Sequence, residues 1–220
     1  IAMAVVVISK GIDLSLIATL AVGTALASVL SSGDVLPSID LPFIYAVILG
    51  FIFTAVLCAI TGILVAYWDM ASVFVTLAMA GVIYGLGRTL FIQDERNYLP
   101  EDAAWLEFLG RGQLFGVPMP IICFLVLAII MHLLLTKTTF GKFVYSIGDS
   151  GLAARTAGVP VRPILVMIFI LAGTVAYFAG LLTAGAISAI STRIVASSLI
   201  YDVLLVVVVG GIGLSGGKGG

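Results

Sequence analysis

The stretch "PFIYAVILGFIFTAVLCAITGILVA", residues 42–66, contains no charged residue. A helix rises about 1.5 Å per residue, so a run of this length crosses the roughly 30 Å hydrocarbon core of a bilayer. Inside that core no water satisfies backbone N–H and C=O groups, which leaves helices and closed barrels as the only spanning structures. Uninterrupted apolar character, rather than alternation, selects the helix. The whole chain agrees. Of its 220 residues 62% are apolar and 10% charged, with a mean hydropathy of +1.29, against about half and a quarter in soluble domains. The fold class expected is an all-α integral membrane protein.

Six segments approach spanning length. They cover about 1–30 (interrupted at "KGIDLS"), 42–66, 71–92, 115–135, 164–190 and 198–214, the last running into glycines. The first residues, "IAMAVVVIS", have no initiator Met and no basic leader. They read as the middle of a hydrophobic helix, and 1–220 as a single transmembrane domain taken from a longer polypeptide. Cys58 and Cys123 lie inside apolar runs and are expected as free thiols. The formal net charge of −1 offers nothing to nucleic acid, and His132, the lone histidine, cannot build a zinc site.

The connecting segments differ in charge. Residues 31–41 carry Asp34 and Asp40, and 93–114 are mostly acidic. Residues 136–163 carry Lys137, Lys142, Arg155 and Arg162 against Asp149 alone. Cytoplasmic loops of membrane proteins are enriched in Lys and Arg. That places 136–163, "YWDM" at 67–70 and the tail at Lys218 inside, and 31–41 and 93–114 outside; Arg193 dissents weakly. Small residues recur every fourth position at Ala172, Ala176, Gly180, Ala184 and Ser188, with Gly81 and Gly85 in the third segment. Such stripes allow close helix packing, and a sliding interface is the other reading.

Two motifs invite enzymatic readings. "LSGGK" at 214–218 is one residue from the LSGGQ signature of ABC-type ATPases. A phosphate loop needs G-x-x-x-x-G-K-[ST], yet Ile212 stands at the first glycine position and Gly219 at the hydroxyl position. "GDSG" at 148–151 resembles a serine-nucleophile loop, but such a serine needs a base in reach and turn chemistry explains the string. A short helix is the better reading there. Asp149 or Ser150 would cap it, "LAARTA" would form it, and Gly158 with Pro160 would end it. Arg155 falls in the last turn, where a cation complements the helix dipole. Two turns are marginal alone, so packing on its own domain or on a partner must hold it, with Ala153, Ala154 and Ala157 offering a small face.

These same residues carry a family resemblance. "TTFGKFVYSIGDSGLAARTAGVPV" resembles the cytoplasmic loop of ribose-type ABC sugar permeases, T-x-F-G-R-x-x-Y-A-I-G-G-N-x-E-A-A-R-L-A-G-I. "GIDLS" at 11–15, "LVAYWDMASVFVTLAMAGVIYGLGR" at 64–88 and "YDVLLVVVVGGIGLSGGKGG" at 201–220 are similar to further stretches of that family in order and spacing. The resemblance implies a permease subunit of a bacterial inner-membrane importer for a monosaccharide or small polyol, with no covalent chemistry of its own. It implies an ABC ATPase subunit that binds ATP and Mg, an extracytoplasmic sugar-binding protein, and a second permease copy. No cofactor is expected on this chain. The helix in 136–163 would dock on the ATPase, and the matching positions are Gly148, Ala153, Ala154, Arg155 and Gly158. Leu152 stands where the family usually has Glu.

Lys10, Asp13, Arg88 and Asp202 lie in or beside apolar spans. A charge at a helix centre costs about 2.5–3.5 kcal/mol on insertion scales, so each needs a partner or water. Lys10 and Asp13 are three apart and can pair on a helix face. Asp13 and Ser15 either stabilise a break beside the translocation path or cap a restarting helix. Asp202 offers a similar cap, and Arg88 is expected to snorkel outward. The rival readings are an ion-coupled transporter, which would show several mid-membrane acids or histidines, an intramembrane hydrolase, and a permease of the same superfamily for branched-chain amino acids or nucleosides.

Overall fold

The computed structural model describes residues 1–32, 41–91, 96–191, 195, 198–213 and 216. The Asp34, Asp40, Arg193 and Lys218 positions therefore lie outside the described residues, as does most of "LSGGK". Nine α-helices carry the described fold: α1 Ala2–Ile8, α2 Leu16–Ser32, α3 Phe43–Tyr67, α4 Ser72–Leu86, α5 Ala104–Arg111, α6 Met119–Lys137, α7 Thr139–Thr156, α8 Val161–Ile187 and α9 Leu199–Val209. Two antiparallel ladders are small. β1 (Arg96–Tyr98) pairs with β4 (Ala189–Ser191), and β2 (Gln113–Leu114) with β3 (Val117–Pro118).

Four helices are long and apolar enough to cross a membrane: Phe43–Tyr67, Ser72–Thr89, Met119–Lys137 and Val161–Ile187. Of the six expected spans, the second to the fifth are these. α2, with 17 residues, and α9, with 11, are apolar but shorter. The first span divides at "KGIDLS" as read, and its parts have different neighbours. α1 packs on α7, α8 and α9, whereas α2 packs on α3, α4 and α8.

α8 is the central helix. In its most apolar 18 residues 56% are buried, against 6% in α6, so α6 is the least enclosed of the four by the described residues of this chain. Ala172, Ala176, Gly180 and Ala184 are buried along α8. A Cβ on Gly62 of α3 would sit 2.8 Å from Val166 Cα, and one on Gly180 2.6 Å from a Thr24 methyl. The small-residue stripe is thus spent on close packing. Gly81 and Gly85 differ from the expectation: among the described residues nothing beyond their own helix lies within 4 Å of a Cβ built on either.

Consecutive spans alternate in direction. The α3–α4 turn, the α6–α7 corner and the start of α8 therefore share one face, the α7 face. α5 and the β2–β3 hairpin occupy the other. α5 ties that second face together. Asp102 Oδ2 accepts the Phe43 N–H at 2.8 Å, capping α3 from 59 residues away. Trp105 stacks tilted on Phe43, centroids 6.0 Å apart. Glu107 pairs with Arg111 at 2.9 Å and accepts the Ser188 hydroxyl. Its carboxyl is held below the usual range, first by Ser188 and then by Arg111. Arg88 lies in the π-helical turn Gly87–Phe91 that ends α4, half-buried, with Nη1 enclosed and without a hydrogen-bond partner among the described residues.

Candidate functional site

The α7 face gathers the residues that the sequence singles out for coupling. α7 is two helices meeting at Ser150, whose φ of −153° and ψ of 105° are non-helical. Ser150 is the cap of the second one, accepting the Ala153 N–H on Oγ at 3.3 Å. That settles the choice between Asp149 and Ser150, and gives the "GDSG" serine a capping role. His132 is exposed on α6. The helix stops where Gly158 takes φ +84°, with its N–H on the Arg155 carbonyl and the Val159 N–H on the Ala154 carbonyl, both 3.0 Å. Only glycine adopts that conformation without cost, which explains its place after the last turn.

The segment before Ser150 is also helical, where the sequence reading had a loop. Thr138 caps it, accepting the Gly141 N–H at 3.3 Å, and Gly141, Val144, Ile147 and Gly148 form its buried face.

The short helix is held at three points. Arg155 Nη2 meets Asp69 Oδ1 at 3.1 Å, joining it to the α3–α4 turn. Lys10 Nζ donates to the Asp149 carbonyl at 2.8 Å, joining it to the α1–α2 break. Ala154 is buried. Ala153, Ala157 and Leu152 face out, Leu152 at 78% exposure. The small face expected from Ala153, Ala154 and Ala157 is thus divided between inside and outside. A cleft of about 500 Å³ runs beneath this helix, lined by Ser9, Lys10, Asp69, Ser72, Leu152 and Arg155 among others. Arg162 lies 5.5 Å from the Tyr67 ring centre, a cation–π contact at the same level.

Asp69 is the residue that sequence reasoning missed. It adopts φ +50° in the turn Trp68–Ala71. The available signal was an acid in a four-residue connection assigned to the same side as the most basic loop.

Asp13 is not part of this cluster and does not pair with Lys10. It is fully buried, and Oδ1 accepts both the Ser15 N–H at 2.9 Å and the Ser15 hydroxyl at 2.6 Å. Lys10 stands at φ +66°, outside any helix, so the three-residue spacing puts the two side chains on no common face. The break is sewn to the first turn of α4. Ile12 N–H donates to Ser72 Oγ at 3.1 Å and Leu14 N–H to Thr76 Oγ1 at 3.0 Å. Asp13 thus closes an Asx turn on Ser15, the residue that leads into α2. Asp13→Leu should lower stability by about 1–3 kcal/mol, because it strands a buried backbone N–H. Asp13→Asn keeps an acceptor and should retain most of that, by thermal melting in detergent. Asp202 is separate again. Ser198 takes the N-cap position of α9, with no side-chain capping bond, and Asp202 sits in the first turn, exposed. Gly216, the described glycine of the terminal motif, packs on the Gly148 and Ile8 carbonyls, each 3.1 Å from a Cβ built there.

Comparison with known proteins gives this arrangement its context. The family model described as "Branched-chain amino acid transport system / permease component" matches residues 1–217. The ribose import permease protein RbsC of Bacillus subtilis is 37% identical over 219 residues, covering 99% of this chain and 65% of that protein. The L-arabinose ABC transporter permease protein AraH of Azospirillum brasilense is 33% identical over 207 residues, 89% of this chain and 58% of its own. The galactofuranose transporter permease protein YtfT of Escherichia coli is 30% identical over 219 residues, 99% and 61%. The chain therefore spans about two thirds or less of these relatives. No solved structure matches it. With a match that runs through the break, the kinked α7 and the glycine-rich end alike, the chain belongs to the branched-chain amino acid transport system / permease component family and is a multi-pass protein of the bacterial inner membrane.

Proposed function

We propose that this chain forms the membrane path of an ATP-driven ABC importer for a monosaccharide or related small polyol, with the α7 face in the cytoplasm. The observation that carries the reading is the capped two-turn helix Gly151–Thr156. It is joined by side chains to two other elements and presents Leu152 outward. An exposed leucine beside Arg155 on a rigid, short helix suits insertion into a groove of a second protein. Gly148, Ala153, Ala154, Arg155 and Gly158 build that element, and ATP with Mg belongs to the ATPase subunit it meets. Asp13 and Ser15 hold the break, whose leading residues Lys10 and Gly11 line the cleft. Substrate arrives from an extracytoplasmic binding protein, and a second permease copy completes the path. The names of the relatives, which specify ribose, arabinose and galactofuranose, support a sugar.

Uptake into proteoliposomes holding the permease and its ATPase, with the binding protein supplied outside, tests this. Ribose or arabinose accumulation should require hydrolysable ATP. Accumulation that follows an ion gradient without ATP defeats the reading, and accumulation of leucine in place of sugars selects the amino-acid branch of the family.

A further inference from the structure

We propose that the hairpin Gln113–Pro118, together with the aromatic side of α5, is an interfacial anchor seated in the lipid headgroup layer on the face opposite Arg155. Its tip is unusual. Phe115 and Gly116 both have positive φ, +52° and +79°, the geometry of a tight two-residue hairpin turn in which asparagine and glycine are the ordinary occupants. A bulky residue in the left-handed region is an outlier. This one is also 98% exposed, so in water it combines an unfavourable backbone with a bare aromatic ring. Both features make sense where the ring has somewhere apolar to go.

The surroundings name that place. Leu114 and Val117 flank the tip, and Trp105 and Phe108 on α5 are exposed beside the same connection. No Lys, Arg, Asp or Glu occurs between Arg111 and Lys137, so the hairpin shares its uncharged character with α6. Met119 N–H bonds the Gly112 carbonyl at 2.9 Å, fixing the hairpin on the first turn of α6. α6 is the least buried of the four bilayer-length helices within the described residues, and its first turn, as the end of a bilayer-crossing helix, lies where hydrocarbon gives way to headgroups. A hairpin of two short strands leaves backbone groups open at its edges, which hydrocarbon cannot satisfy. The headgroup layer can, while Phe115 reaches down to the acyl chains and Trp105 takes the aromatic-belt position. The charged pair Glu107–Arg111 turns instead to Ser188 at the end of α8.

The test places a tryptophan at the tip. Phe115→Trp and, at a position of negative φ, Val117→Trp are each made in the full chain and reconstituted with its partner subunits in nanodiscs of phosphatidylethanolamine and phosphatidylglycerol. Emission added over the parent protein is then challenged with lipid brominated near the headgroup end of its acyl chains, and with aqueous iodide. The anchor requires that brominated lipid remove most of the added emission at both positions while iodide leaves it intact. Quenching by iodide alone puts the hairpin in water and overturns the proposal. Protection from both quenchers also overturns it, because a protein surface, from the binding protein or a second copy, then covers the tip. Should Phe115→Trp fail to fold, Val117→Trp decides alone. None of these readings depends on which solute is carried.

Discussion

Arg155→Glu is expected to cut ATP-driven uptake by about tenfold or more, roughly 1.4 kcal/mol or above in coupling, with the chain still folded and inserted. The Arg155–Asp69 pair is 45% and 64% exposed at its two side chains, and pairs of that kind contribute about 0–1 kcal/mol to stability. Global folding therefore tolerates its loss. The local helix does not. Reversal sets two carboxylates against each other across the contact that joins Gly151–Thr156 to the α3–α4 turn, and puts an anion at the carbonyl end of the helix, where the dipole repels it. The prediction rests on the proposed coupling role, and its reading is a split. ATP hydrolysis by the assembled transporter persists while uptake falls. Adding Asp69→Arg restores an opposite-sign pair in reversed order and should recover part of the uptake. Uptake unchanged in the single variant removes Arg155 from the coupling path.

Gly185→Leu should be among the changes most damaging to the fold. A Cβ built on Gly185 runs into the Leu106 carbonyl, with Leu106 Cγ at 3.3 Å, and one on Gly110 runs into the backbone of Gly185 and Ala186. Two helices meet here glycine to glycine, and the obstructing atoms are backbone, which cannot rotate aside as a side chain can. Overpacking costs about 1–3 kcal/mol where side chains give way, and this site should exceed that range, enough to abolish a folded peak in detergent chromatography. Gly81→Leu supplies the contrast. It adds the same volume where, among the described residues, nothing beyond its own helix lies within 4 Å, and should leave melting nearly unchanged apart from any gain in helix propensity. Equal melting of the two variants would show that the α5–α8 contact does not hold the bundle.

The long helices are legible because lipid imposes one requirement on the whole segment: α3, α6 and α8 announce themselves by unbroken apolar character. The break at "KGIDLS" is equally plain, since glycine and polar groups interrupt such a run. Two shorter helices are less so. α5 and the first part of α7 are amphipathic pieces inside charged connections, where a search for spanning segments passes over them. Yet Leu106 and Gly110 on one, and Val144, Ile147 and Gly148 on the other, follow the helical period of burial. For the Arg155–Asp69 contact the sequence offered only a shared side, because its partners are 86 residues apart and only tertiary packing brings them together. Lys10 shows the converse. Local spacing nominated Asp13, and a backbone carbonyl at Asp149 was the actual partner.

The amide that opens α3 is closed by Asp102, a residue synthesised well after α3 itself. As the polypeptide emerges, α3 and α4 therefore enter the bilayer with the leading end of α3 unfinished, its first-turn donors facing water or headgroups. Completion waits until the segment carrying Asp102 and α5 has been made and folded back over it. Maturation of this bundle thus has a built-in order, in which α3 is capped only after the Asp102 segment follows it and that strap is in turn fixed only when α8 arrives, so a truncation before Asp102 would leave a loosened hairpin.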